Sequence, residues 1–203
     1  MVALTLPSHF SDADNTEFLM VGQLGGIAHP PGYPLFSVLL RFGSLFIFDE
    51  ASAIWVISWV PAVSVTIAVF CFVLFLSLFG FSGWSASISA LWVFSALPVW
   101  RIANVVEPFS LHLLLLTSIL LCTHRVVSHP GSGWRMGVFG FLWGLSFCNH
   151  HTMIFLCPFV VWVFVLKNGQ FRQWPKQILV FFTGFSLGLA PIAYFFAVDS
   201  SAP

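Results

Sequence analysis

The stretch AIWVISWVPAVSVTIAVFCFVLFLSLF, from Ala53 to Phe79, contains no charged side chain. At 1.5 Å per residue it spans about 40 Å as a helix, and the hydrocarbon core of a bilayer is about 30 Å thick. A buried helix of a soluble domain rarely needs more than about 14 consecutive apolar residues. The segment therefore reads as a tilted transmembrane helix, and the rest of the chain is placed relative to it.

The surrounding composition agrees. Hydrophobic residues make up 59% of the 203, charged residues only 7%, and there are 25 Phe and 9 Trp. No water-soluble fold hides that much apolar surface. Seven Lys plus Arg balance seven Asp plus Glu, so no basic face points to nucleic acid. Cys71, Cys122, Cys148 and Cys157 lie in apolar segments without C-x-x-C spacing and read as small buried hydrophobes, not as a disulfide frame or zinc site. Met1 to Pro7 carries no basic stretch and too short an apolar run for a cleavable signal peptide.

Further apolar segments follow at Trp84–Trp100, Phe109–His124, Met136–Cys148, Thr152–Leu166 and Gln177–Val198, giving six expected crossings. Loop charge orients them. Residues 80–83, 125–135 and 167–176 hold Arg125, Arg135, Lys167, Arg172 and Lys176 and no acid. Residues 1–52, 101–108, 149–151 and 199–203 hold every acid, Asp12, Asp14, Glu17, Asp49, Glu50, Glu107 and Asp199, beside Arg41 and Arg101. The first set is expected in the cytoplasm. Fusing the two short spans around Asn149-His150-His151 would move Lys167, Arg172 and Lys176 to the acidic side, so they count separately. The expected architecture is an all-α, polytopic transmembrane bundle. Residues 1–52 form a first loop with interfacial helices, 53–198 the bundle and 199–203 a tail.

The densest chemistry precedes the first span: Asp12-Ala-Asp14-Asn-Thr-Glu17, then Gly25-Gly26-Ile-Ala-His29-Pro30-Pro31-Gly32-Tyr33-Pro34. Asn15 or Thr16 is expected to cap a helix reaching about Leu24, and Pro30-Pro31 to stop it. Tyr33–Phe48 reads as an interfacial helix closed by Asp49 and Glu50. Asp14 and Glu17, three apart, share a helix face. Two carboxylates so placed suit general base catalysis, although solvated acids favoured by a helix N-terminus have the same pattern. Glu107 stands at a membrane boundary, where an ionisable group is a candidate site and a salt bridge to Arg101 its plain alternative. Asn149-His150-His151 offers imidazoles for a phosphate or a proton; adjacent histidines lack the i, i+4 spacing of helical metal ligands. His112, inside a span, reads as a packed histidine.

Three ordered blocks resemble a known family. Asp14 to Leu35, with His29-Pro-Pro-Gly-Tyr-Pro34, resembles the first lumenal loop of the transmembrane protein 260-like protein O-mannosyltransferases. Val106-Glu107-Pro108-Phe-Ser-Leu111-His112 looks like that family's Ala-Glu-Val-x-x-Leu-Asn, and Gly144-Leu-Ser-x-x-Asn149-x-His151-Thr152 its Gly-Leu-Ser-x-x-Asn-x-His-Thr. The resemblance implies a GT-C type, inverting glycosyltransferase of the endoplasmic reticulum membrane. It would move mannose from dolichyl-phosphate mannose, a polyprenyl-phosphate donor, to Ser or Thr of an acceptor protein in the lumen. It implies Asp14 or Glu17 as general base and His29, Tyr33, Arg101, Glu107, Asn149 and His150 as substrate-binding residues. His29, Arg101 or His150 would steady the departing phosphate, with no cofactor and no obligatory metal. Here Asp14-Asn15-Thr16-Glu17 replaces the usual Asp-Ser-Gly-Glu, Pro108 a β-branched residue, and His112 an Asn. Relative to the family, a span before the first loop and a large remainder after residue 203 are missing. Alternatives are thus a non-catalytic fragment folding against a partner that supplies helices, or a transporter or lipid-binding membrane protein whose Glu107 and histidines line a path.

Overall fold

The computed structural model describes residues 13–45, 47, 49–129, 132–166 and 174–199. The expectations for Asp12, Lys167, Arg172 and the tail from residue 200 lie outside the described residues. The described residues are helical, without a strand, in the order α1 (Ala13–Leu24), α2 (Pro34–Ser44), α3 (Glu50–Leu78), α4 (Gly83–Phe94), α5 (Leu97–Asn104), α6 (Phe109–Ser128), α7 (Gly133–Asn149), a 3-10 helix (His151–Leu156), α8 (Cys157–Leu166), α9 (Trp174–Gly188), a 3-10 turn (Ala190–Ile192) and α10 (Ala193–Asp199).

The stretch that decided the class is α3. Asp49 caps it, accepting from the Ser52 N–H at 2.9 Å, so Asp49 and Glu50 open this helix and do not close α2. The hydroxyls of Ser58, Ser64 and Thr66 bond to carbonyls four residues back, at 2.7–2.8 Å, which satisfies them inside an apolar helix. Among the described residues, three helical segments are long and apolar enough to cross a membrane: Ala51–Leu78, Phe109–Ser128 and Trp174–Val198. A fourth arises if α4 and α5 count as one span, though they are bent 74° from each other. The break falls at Ser95-Ala96 before Pro98, whose ring removes an N–H from the first turn of α5. The segment expected as one straight span from Trp84 to Trp100 is therefore broken. Thr152–Leu166 also departs from expectation, because it begins as a 3-10 helix.

Two pairs of packed helices, α3 with α6 and α7 with α9, each run in the same direction. Along α3 and α6, Cys71 meets Ser118 at 3.9 Å and, further on, Phe79 meets His124 at 5.3 Å between ring centroids. Along α7 and α9 the register climbs together: Gly140 abuts the Phe181 carbonyl and Gly144 abuts Gly188. A Cβ on Gly144 would lie 2.8 Å from Gly188 Cα, and one on Gly188 would lie 2.9 Å from Gly144 Cα. Gly140-x-x-x-Gly144 and Gly184-x-x-x-Gly188 thus let two backbones touch, as in small-residue packing of membrane helices. That signal stood in the sequence and was not used.

Two apolar clusters result. One joins α6, α7, α8 and α9 through Ile119, Val126, Met136, Phe139, Trp143, Met153, Val163 and Phe181. The other seats α1 and α2 on the starts of α3 and α6 through Phe18, Leu19, Phe36, Leu40, Ile57, Val106, Leu111 and Leu115. Gly22 is needed in this second cluster, since a Cβ there would lie 2.7 Å from Ile57 Cδ1. The first loop is thereby packed onto one end of the bundle, where α7 also ends.

Candidate functional site

Helix α1 begins at Ala13, so Asn15 and Thr16 sit inside its first turn instead of capping it. Asp14 and Glu17 keep the shared face expected of them, with Asp14 exposed and Glu17 partly buried. Beyond α1 the chain turns through Gly25 and Gly26, and Gly26 N–H donates to the Tyr194 hydroxyl at 3.3 Å. It then returns His29 to Glu17. The His29 backbone N–H donates to Glu17 Oε1 at 2.6 Å, and its Nδ1 pairs with Oε2 at 2.7 Å. Both oxygens of Glu17 are engaged, whereas Asp14 makes no hydrogen bond or ion pair with a described residue.

Gly32 has φ 88°, and a side chain there would collide with the Phe195 ring. Tyr33 follows at φ 46°, ψ 59°, a left-handed conformation rare for a bulky residue, and stands at the N-cap of α2. Ser37 Oγ donates to the Gly32 carbonyl at 3.1 Å and helps hold this turn. The Tyr33 ring is 8% exposed and lies against Phe18, His29 and His150 at 5.4–5.6 Å. Burial, and then the charges of Asp14, Glu107 and Glu17, push the Tyr33 hydroxyl above its ordinary range. Carboxylates from two distant stretches therefore act on one phenol.

The turn carrying Glu107 joins α5 to α6 and is gripped from both sides. Asn15 Oδ1 accepts the Val106 N–H at 2.9 Å, and Asn149 Nδ2 donates to the Pro108 carbonyl at 3.0 Å. Both asparagines are 1% exposed. His150 lies beside Tyr33, Phe109, His112 and His151, with ring centroids 5.1–5.6 Å apart. Thr152 N–H donates to His150 Nδ1 at 3.3 Å, which places a neutral ring's proton on Nε2. Burial, then the neighbouring His151, hold the His150 imidazole below its ordinary range.

Of the residues singled out in the sequence, Asp14, Glu17, His29, Tyr33, Glu107, Asn149 and His150 come together at this end of the bundle. Arg101 is exposed in the last turn of α5 and joins none of the polar contacts described. Asp14, Glu17 and His29 each bring a potential ligand atom within 4.8 Å of the others, so a divalent cation would find two carboxylates and an imidazole there. Asn15 and Phe18 were missed. Asn15 had appeared only as a candidate cap, and no local pattern separates an amide that reaches across the fold from one that caps its own helix.

Residues 14–173 match the family model described as Protein O-mannosyl-transferase TMEM260 N-terminal domain. Over 199 residues the chain is 29% identical to Protein O-mannosyl-transferase TMEM260 of Mus musculus, covering 94% of this chain and 28% of that relative. Over 204 residues it is 28% identical to Protein O-mannosyl-transferase tmem260 of Dictyostelium discoideum, covering 92% of this chain and 24% of the relative. The chain thus spans about a quarter of the length of these curated relatives. No solved structure matches it.

Proposed function

The chain belongs to the TMEM260 N-terminal domain family, and on that premise we propose that it carries the catalytic end of a membrane glycosyltransferase that moves mannose from dolichyl-phosphate mannose to a Ser or Thr hydroxyl of a protein. The observation that carries the reading is the cluster of side chains itself. Asp14, the Glu17–His29 pair and Tyr33 of the first sequence block meet Glu107 of the second and His150 of the third at one end of an apolar bundle.

In this mechanism Asp14 is the general base. It is exposed and makes no hydrogen bond or ion pair among the described residues, while Glu17 is occupied by His29. Asp14 takes the proton of the acceptor hydroxyl as its oxygen bonds to the anomeric carbon. The bond from that carbon to the phosphate oxygen breaks, its electron pair leaves with the lipid phosphate, and the anomeric centre inverts. His29 and His150 are the groups assigned to the departing phosphate, with Tyr33 donating through its retained proton. Arg101, exposed on α5, serves the phosphate only if the donor headgroup extends that far.

The same reading proposes six crossings of a GT-C-like bundle, with the cluster facing the lumen of the endoplasmic reticulum. Parallel neighbours support it. Because α3 and α6 run together, α4 and α5 must carry the chain back between them. Because α7 and α9 run together, the segment His151–Leu166 must do the same. Lys176, in the first turn of α9, then lies at the end where α7 starts with Arg135, and the acids lie at the other.

The test is transfer of radiolabelled mannose from dolichyl-phosphate mannose to protein by membranes expressing this chain in a background lacking the endogenous enzyme. Transfer that disappears with Asp14→Asn supports the reading. A well-inserted chain that transfers nothing, alone or with the remainder of a longer relative, sinks it.

A further inference from the structure

Asn15 of α1 and Asn149 at the end of α7 are 134 positions apart (149 minus 15) yet bond to the same short turn. Glu107 is the middle one of the three residues between the two peptide groups they hold. We propose that Asn15 and Asn149 are positioning residues that clamp the turn from Val106 to Pro108 and so hold the Glu107 carboxylate within electrostatic reach of Tyr33.

Three observations support the clamp. The turn has no regular structure of its own: it lies between the end of α5 at Asn104 and the start of α6 at Phe109. Its local bonds include Glu107 N–H to the Val105 carbonyl at 2.9 Å, His112 N–H to the Pro108 carbonyl at 2.9 Å and Ser110 Oγ to the Glu107 carbonyl at 3.2 Å. These leave its direction relative to α1 and α7 undetermined. Second, each asparagine spends one half of its amide on the turn while Asn15 Nδ2 and Asn149 Oδ1 stay buried without a partner among the described residues. Burying half an amide unpaired costs stability that an apolar residue of the same shape would not, so the polar side chain is explained by what its other half holds. Third, Val106 and Tyr33 belong to one packed cluster with Phe18, so a displacement of the turn is felt at Tyr33.

This inference rests on the reading of the cluster as a transfer site for its meaning, but it can be tested without turnover. The chain has only two tyrosines, Tyr33 and Tyr194. Purified in detergent with 13Cζ-labelled tyrosine, it gives two NMR signals, assigned with Tyr194→Phe, and the pH titration of Tyr33 reports the charges around it. The expected wild-type midpoint lies above the ordinary tyrosine value, and Glu107→Gln lowers it. Asn15→Leu and Asn149→Leu, which keep volume and remove the bonds, lower it by the same amount. Added to Glu107→Gln, neither shifts it further. The Tyr194 signal and a monodisperse elution profile report folding, and alanine replaces leucine in any variant that fails them. The clamp is overturned if the asparagine variants titrate like wild type while Glu107→Gln moves the midpoint, or if Glu107→Gln moves nothing. Absence of mannose transfer would sink the transfer reading and leave these midpoints as they are, so the two ideas fail separately.

Discussion

His29 holds Glu17 by both carboxylate oxygens, through its backbone N–H at 2.6 Å and its ring Nδ1 at 2.7 Å. The pair closes the loop between α1 and α2 onto α1, and it separates the roles of two acids that local sequence treats alike. Asp14→Asn should lower transfer by about 100-fold or more, the scale of a lost general base. Glu17→Gln and His29→Ala should each cost about tenfold, the scale of a supporting partner. Because they break the same pair, the double variant should be no worse than His29→Ala alone. A rate assay on the four proteins checks this, and a Glu17→Gln loss as deep as that of Asp14→Asn would move the base to Glu17.

Asp14, Glu17 and His29 also have the spacing of a cation site, and a chelator separates an ion from an ion pair. Transfer is expected to survive dialysis against excess EDTA, since the His29 bonds already satisfy Glu17. Loss of transfer that returns on adding Mn2+ would assign a metal to these three residues.

The pH dependence of stability follows from His150. Its imidazole is held below the ordinary range in the folded chain, so the folded state resists a proton that the unfolded chain accepts. Above the unfolded value, about 6.5, both states are neutral and the residue contributes no dependence. As pH falls below it the unfolded chain gains the proton first, and stability declines. Thermal unfolding in detergent at pH 7 and pH 5 should show a loss that is smaller in His150→Phe than in wild type. An equal loss in both would remove His150 from the account.

The contact of α7 with α9 predicts where size cannot change. Gly144→Leu meets the Phe185 carbonyl and the Gly188 backbone, which cannot swing aside. It should destabilise the bundle by more than about 1 kcal/mol. Gly83→Ala, with nothing within 4 Å of the added carbon, should stay within about 0.5 kcal/mol of wild type. Unfolding midpoints of the two variants decide, and a tolerated Gly144→Leu would mean that the helices are not in backbone contact.

Much of this molecule was legible from residue order because a bilayer imposes simple demands. A charge-free run from Ala53 to Phe79 must be helical and must leave water, whatever it packs against, since an unpaired backbone group in hydrocarbon is too costly. The acids Asp14 and Glu17 were legible as a pair, because three residues on a helix bring side chains to one face. Helix interruptions were harder to read. The bend after Phe94 and the 3-10 start at His151 leave total hydropathy almost unchanged, so a window that counts apolar residues passes over both.

By itself, then, the sequence determined the solvent of this protein, its helical class and which residues carry charge, because these depend on composition and local period. The tertiary structure alone decided that His29 returns to Glu17, that Asn15 and Asn149 grip one turn, and that α7 and α9 touch backbone to backbone. Each of these relations links residues 12 to 91 positions apart. A hydrogen bond or a close contact is specified by position in space, and only packing brings such distant positions together.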